Sequence, residues 1–418
     1  MINSPGLNAT LASVMRNDRG RLISALIGAL GDFELAEEAL SDALESALTH
    51  WARTGIPDSP TGWLLTVARR KAIDRIRRQK RFQGYTADIA HLAKMDEMDA
   101  NASAPDIADQ RLRLIFTCCH PALAAKTRVA LTLRTLGGLS TGEIAAAFLD
   151  AEPAMGQRLS RARKKIARAR IPFVTPAPDQ WGARLNSVLA VIYLIFNQGY
   201  AATSGTSPTR VDLCDEAVFL ARLLDQLQPA EPEIEGLLSL LLTTHARRPA
   251  RQDSSGATVA LADQDHALWD HEMLGQGLDL LDRAIARGAS GPYQIKAAIS
   301  ALHVGAAREA ATDWRQIVLL YDALLGFEPT PVVALNRAAA LAEAGGLDQA
   351  LQEFARLSTD LADYQPYHAA CAEYLARAGD HVASQAAYGR AIALSGNDAD
   401  REFLQARRDK VSAKGIDR

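Results

Sequence analysis
Apolar residues return every three or four positions along most of this chain, and no Val/Ile/Thr alternation of strand type persists. That periodicity predicts an all-α protein. Leu22, Ile23, Leu26, Ile27 and Leu30 mark a first core helix, stopped by Gly31. A second runs from Phe33 to Trp51. Its inward face holds Leu40, Ala43, Leu44, Ala47, Leu48 and Trp51, and its outer face Glu34, Glu37, Glu38, Asp42 and Glu45. Gly55 to Pro60 is a loop by composition. The next helix begins near Trp63 and turns Leu65, Ala68, Ala72 and Ile76 to one side, flanked by Leu64 and Ile73. Gly84 to Asp109 is polar and weakly periodic, and reads as a linker with a short helix near Ile89–Met95.

A new helical unit starts at Arg111–Cys119 and ends at Pro172. Within it, Thr127 to Ile171 parses as helix, tight turn, helix, turn and long basic helix. Gly137 and Gly138 break the first pattern, and Ser140-x-x-Glu143 is a capping box for the second. Asp150 or Glu152 starts the third, where Pro153 is tolerated because no intrahelical donor is needed in a first turn. Met155, Leu159, Ala162 and Ile166 form its apolar stripe. A sharp turn followed by a basic amphipathic helix suits the major groove of DNA.

Behind three prolines, Trp181 to Asn197 is nearly all apolar and reads as a central buried helix. Further helices are expected near Leu213–Leu227, Glu231–Arg247, Asp263–Arg287 and Pro292–Gly305, with an exposed loop at Gln252–Ala257. The last third repeats itself. Leu341 matches Leu375, Gly345 matches Gly379, Phe354 matches Tyr388 and Leu357 matches Ala391, each 34 residues on. That period resembles tetratricopeptide repeats, in which helical hairpins bury their faces only by stacking. Asn397 to Val411 would close the stack. The expected segments are 1–84, a linker 85–108, 109–172, a helical extension 173–305 and repeats 306–418.

Charge adds a division that hydropathy does not show. Residues 1–175 hold 25 Lys and Arg against 18 Asp and Glu, whereas residues 176–418 hold 21 against 31. The front therefore carries +7 and the rear −10, within an overall −3. A basic front suits nucleic acid. Its cations concentrate on two helices. One carries Arg69, Arg70, Lys71, Arg75, Arg77, Arg78, Lys80 and Arg81 against the single acid Asp74. The other carries Arg158, Arg161, Arg163, Lys164, Lys165 and Arg168, with Gln157 beside them. Cations of this kind track phosphates, and Trp63 could stack on an unpaired base. Cys118, Cys119, Cys214 and Cys371 lack metal or disulfide spacing and read as buried thiols. The longest apolar run, Val188–Phe196, is too short to span a bilayer, and the N-terminus lacks a signal pattern, so a cytoplasmic protein with no membrane contact is expected.

The two basic modules, in this order, resemble a bacterial RNA polymerase sigma factor of the extracytoplasmic-function (ECF) type. Leu35–Trp51 looks like region 2 of that family, Trp63–Arg78 like its helix for the −10 element, and Thr127–Ile171 like region 4, which reads the −35 element. The tail resembles that of a subgroup with a long tetratricopeptide-like extension, through LRLIFTCCHPAL and VLAVIYLIFNQGY. The resemblance implies core RNA polymerase (β′ clamp and β flap) and promoter DNA as partners, with no catalytic residue, cofactor or metal. It implies clamp contacts at Glu37, Glu38 and Asp42. It implies −10 contacts at Trp63, Arg69, Arg70, Lys71, Asp74, Arg77 and Arg78, with Gly55–Ser59 bordering the pocket for a flipped base. It implies −35 contacts at Pro153, Ala154, Gly156, Gln157, Arg158, Arg161, Lys164 and Lys165. The chain departs from the family pattern at Ser41 (usually Gln), Arg70 (commonly Asn) and Gly156 (usually Lys or Arg).

One polar cluster lies outside this scheme. Asp265, His266, Trp269 and Asp270 could form a regulatory patch, contacting a partner protein or latching onto the basic modules, or could simply cap helices around Trp269. His266 and His271 are five apart, which is not the i, i+4 spacing of a metal pair. The competing functions are a stand-alone helix-turn-helix regulator with a tetratricopeptide-like interaction domain, and a tail hydrolase. The first leaves the 63–81 helix unexplained, and the second finds no nucleophile–base pair.

Overall fold
A computed structural model of the chain describes residues 5–83, 104–148, 150–177, 179–200, 211–251, 253, 259, 261–305, 312–396 and 398–416. The described residues form helices and no strand. They divide into two compact units, Met1–Leu194 and Ile195–Arg418. The expected linker core, its short helix near 89–95, and all of the 252–257 loop except Asp253 fall outside the described residues.

The first unit opens with α1 (Pro5–Asn17), α2 (Arg19–Leu30), α3 (Phe33–Thr54) and α4 (Pro60–Gln83). Gly31 ends α2 in the left-handed region (φ 66°), where glycine pays no Cβ penalty. Asp32 then caps α3 by accepting from the amides of Glu34 and Leu35 at 2.8 and 3.0 Å. Trp51, Ala47, Ala43 and Leu40 point inward as expected, but Leu48 is 44% exposed. The buried side of α4 is also rotated from the expected stripe. Leu64, Ala68, Ala72 and Ile73 are buried while Leu65 and Ile76 are half-buried, because α4 packs against both α2 and α3.

The second basic module consists of α5 (Ala104–Cys118), α6 (Ala125–Thr135), α7 (Thr141–Phe148) and α8 (Glu152–Arg168). The capping box forms as read: the Ser140 amide donates to Glu143 Oε2 at 2.7 Å and the Glu143 amide to Ser140 Oγ at 3.1 Å. Helix α5 starts at Ala104, inside the stretch expected to be linker, because its first turns are too polar to signal periodicity.

The sequence reads as two modules on a tether, yet here they pack on each other. Helix α2 lies along α5 and is buried nearly all round, with Leu22, Ile23, Leu26 and Ile27 at most 4% exposed. The turn after α6 reaches α1 so closely that a Cβ on Gly138 (φ 72°) would sit 2.9 Å from the Met15 carbonyl oxygen. Helix α9 (Trp181–Tyr200) then docks on the second module. Ser187 Oγ donates to the Cys119 carbonyl and Arg184 to the Phe116 carbonyl, both at 2.7 Å. The division between the units falls within this helix.

In the second unit, α10 (Val211–Leu227) leads to α11 (Pro232–His245), in which every residue from Ile234 to Thr243 is buried. This helix, rather than α9, is enclosed on all sides. The reason is α12 (His271–Ala286) and α13 (Pro292–Gly305), both packed on it through glycines. The expected single helix Asp263–Arg287 is broken into 3-10 turns at Leu261–Asp263 and His266–Leu268 before α12, because Asp265 and Asp270 cap new starts. Helices α14 (Trp314–Phe327), α15 (Pro331–Glu343), α16 (Leu347–Arg356), α17 (Gln365–Arg377), α18 (His381–Leu394) and α19 (Asp398–Ile416) stack as hairpins. The 34-residue repeat is structural: Gly345 and Gly379 both take positive φ (98° and 86°), and Phe354 and Tyr388 are both 2% exposed. Leu404 and Val411 of α19 close the stack on Tyr388 and Ala391.

Candidate nucleic-acid interface
Helix α8 divides cleanly by face. Met155, Leu159, Ala162 and Ile166 are between 0 and 7% exposed. Pro153, Ala154, Gln157, Arg161, Lys164, Lys165 and Arg168 face solvent. Gly156 is half-buried but unobstructed, since a Cβ there would meet only Thr141 Cγ2 at 3.9 Å. Two of the expected base or phosphate contacts are engaged within the module. Arg158 bonds Asp150, which also takes Lys126 at 3.3 Å. The Arg158 hydrogen bond, foremost, holds the Asp150 carboxyl below its usual value. Lys165 Nζ donates to the Ala122 carbonyl.

Helix α4 presents Arg70, Lys71, Asp74, Arg77 and Arg78 to solvent, with Arg69 half-buried; the side chains of Lys80 and Arg81 lie outside the described ones. Trp63 is half-buried. Its ring meets Trp51 edge-on at 5.2 Å and stacks on His50 at 5.6 Å, so one neighbour already occupies an aromatic face.

The acidic face of α3 is not uniformly free. Glu38 and Asp42 pair with Arg75 of α4 at 2.8 and 3.8 Å. Glu37 is buried (9% exposed), between Arg19 of α2 at 3.1 Å and Arg163 of α8. Arg19 also donates to the Arg134 carbonyl at 3.1 Å. Burial pulls the Arg19 guanidinium down to about 10, with Glu37 opposing the fall. Beside this triad runs a cleft of about 400 Å³, lined by Ile27, Phe33, Thr117, Arg163, Ile166 and Arg170. Sequence reasoning missed the triad. Arg163 is one cation in a basic run, and nothing local marks it as facing the other module.

In the tail, Asp265 accepts from the Ala267 amide and Asp270 from the Met273 amide, both at 2.9 Å. Trp269 is 5% exposed in a cluster with Ala246, Ala250, Leu274 and Val304, and His266 stacks on it at 4.0 Å. These four residues are occupied in local caps and core. Cys118 and Cys119 are core thiols, and burial pushes Cys119 up to about 11.

Comparison with known proteins supplies the family. Residues 15–82 match sigma-70 region 2 and residues 113–166 match sigma-70 region 4. Residues 184–285 match a family of unknown function, DUF6596. The chain thus belongs to the ECF-like sigma factors, transcription initiation factors, and carries a helical C-terminal extension. It is similar along nearly its whole length to "Uncharacterized protein R00370" of Rhizobium meliloti (strain 1021): 42% identical over 400 residues, 95% of this chain and 94% of that one. It is 28% identical over 166 residues to "Probable ECF RNA polymerase sigma factor SigI" of Mycobacterium tuberculosis (strain CDC 1551 / Oshkosh). That match covers 38% of this chain and 56% of SigI. No described helix is long and apolar enough to cross a membrane.

Proposed function
We propose that this chain is an alternative sigma factor that binds core RNA polymerase through the β′ clamp and β flap, and whose tail controls when it does so. The observation that carries the reading is the pairing of two exposed cationic helices, α4 and α8, each with its apolar side sunk in one unit. Helix α4 and the loop before it hold the melted −10 strand, offsetting the few kcal/mol of unstacking an extruded base costs. Helix α8 enters the −35 major groove, its cations tracking phosphate while the thinned face at Gly156 weakens base reading. Two weak contacts on one rigid polymerase gain avidity that neither has alone.

Control acts on Glu37. In the packed form this carboxylate is held by Arg19 and Arg163, so it cannot also meet the clamp. Opening the seam between the modules frees Glu37 and separates the two DNA helices. The acidic tail, −10 beside a +7 front, shifts that equilibrium from the same polypeptide. Adding the chain to core polymerase on genomic DNA and mapping transcripts tests the reading. New start sites are expected only with both components. Tight duplex binding by the chain alone, with no initiation anywhere, would instead make it a stand-alone helix-turn-helix regulator.

A further inference from the structure
The turn that ends α11 carries two arginines one helical turn apart, Arg247 and Arg251, and they are held in unlike ways. The Arg251 guanidinium sits over the Tyr200 ring, 3.7 Å from its centroid, and donates to the Tyr200 carbonyl at 2.8 Å. Arg247 is half-buried, and its Nε is sealed from solvent with no hydrogen-bond partner. Among the described residues it forms no ion pair. Asp215, the acid that pairs with His245 and Arg248 at the end of α11, is not among the groups that act on Arg247. Of the two side chains that act electrostatically on Arg247, Arg251 is a like charge that repels it, and the other is the Tyr200 phenol. Burial and Arg247 together push His303 down to about 4, so near neutral pH it adds no further positive charge. Two further polar atoms around this turn are sealed without partners: Gln264 Oε1 and the Nε1 donor of Trp269, whose ring packs on Ala246 and Ala250.

A guanidinium withdrawn from water beside a like charge is costly unless an anion joins it. Carboxylates and phosphates fit the planar donor fork of arginine bidentately. We propose that this turn is a binding site for a small oxyanion, a phosphate- or carboxylate-bearing ligand, with Arg247 and Arg251 as its two cationic arms and the Tyr200 ring as the platform that fixes the second. The site lies wholly in the second unit, and it does not depend on the sigma-factor reading. If that reading holds as well, the ligand is a signal the tail can sense.

Isothermal titration of the full chain with inorganic phosphate, and separately with malonate, at fixed ionic strength tests it. The basic helices also attract anions, so the readout is a binding step that disappears in Arg247→Gln, weakens at least about tenfold in Arg251→Gln, and survives in Arg248→Gln and Arg161→Gln. A step with phosphate alone makes the ligand a phosphate ester or phosphate, and a step with malonate alone makes it a carboxylate. A step with both leaves the general oxyanion site standing. No step with either, or the same step in Arg247→Gln, overturns the proposal. The melting temperature in anion-poor buffer is the second readout. Removing a cation that lacks a partner should leave Arg247→Gln at least as stable as the natural chain. A clear fall, or failure to fold, means the guanidinium is structural and also overturns it.

Discussion

At the scale of single residues, Gly156 and Glu216 both cost the fold stability. A glycine inside α8 costs about 1 kcal/mol relative to alanine, and the space above it is open. Gly156→Ala should therefore stabilise the chain by about 0.5–1 kcal/mol in urea denaturation. Gly156→Arg should steepen the salt dependence of promoter binding by about one unit of log–log slope, because it adds a phosphate contact. Glu216 is costly for a different reason. Burial raises its carboxyl to about 7, and its Oε1 has no partner. The folded chain keeps a proton there that the unfolded chain releases above about 4.5, so stability falls as pH rises between those values and the loss is complete above 7. Glu216→Gln imitates the protonated form. It should stabilise the chain by about 2–3 kcal/mol at pH 8, with the gain shrinking towards zero near pH 4. A gain that is flat with pH would contradict this account. Gly156 stands out in the sequence, whereas Glu216 is one acid among many until its helix is packed.

Among elements, the seam between the two basic modules is where the proposed control would act. Glu37→Gln leaves Arg19 and Arg163 without their carboxylate and should destabilise the first unit by about 3 kcal/mol. On the proposed reading it should also lower initiation, because the clamp contact proposed for Glu37 would go with it. Arg163→Gln spares Glu37 and loosens only the seam, so initiation in vitro should rise. If both variants lower it equally, Glu37 is not the switched contact. In the tail, α11 and α13 approach so closely that a Cβ on Gly236 would lie 2.7 Å from the Gln294 amide nitrogen. Gly236→Ala should cost about 2 kcal/mol through overpacking, read as a lower melting temperature. The capping box and the 34-residue repeat were legible because each is written in residues close along the chain. The seam was not, because Glu37 and Arg163 are 126 residues apart.

For the whole molecule, the place where the front ends matters most. Composition sets the boundary at the prolines near 172–178, but α9 supplies Ser187 and Arg184 to the second basic module and packs Trp181 on Phe116 at 5.1 Å. A chain cut after Thr175 should lose helix-turn-helix stability. A chain cut after Tyr200 should keep it and report the effect of the tail alone. Changed transcript yield from the longer truncation is expected if the tail regulates; identical yield from it and the full chain removes that role.

The sequence by itself determined the helical class, the order of the two sigma regions, the turn chemistry of Ser140–Glu143 and the period of the tail. Each depends on spacing or on side chains within a few residues of one another. Only the tertiary structure decided that the two regions lie packed together, that Glu37 is held rather than offered, and that Arg247 is half-buried with its Nε sealed and without a partner. Those facts turn on which faces meet across long separations, where burial changes the energy of a charge while leaving its place in the sequence unchanged.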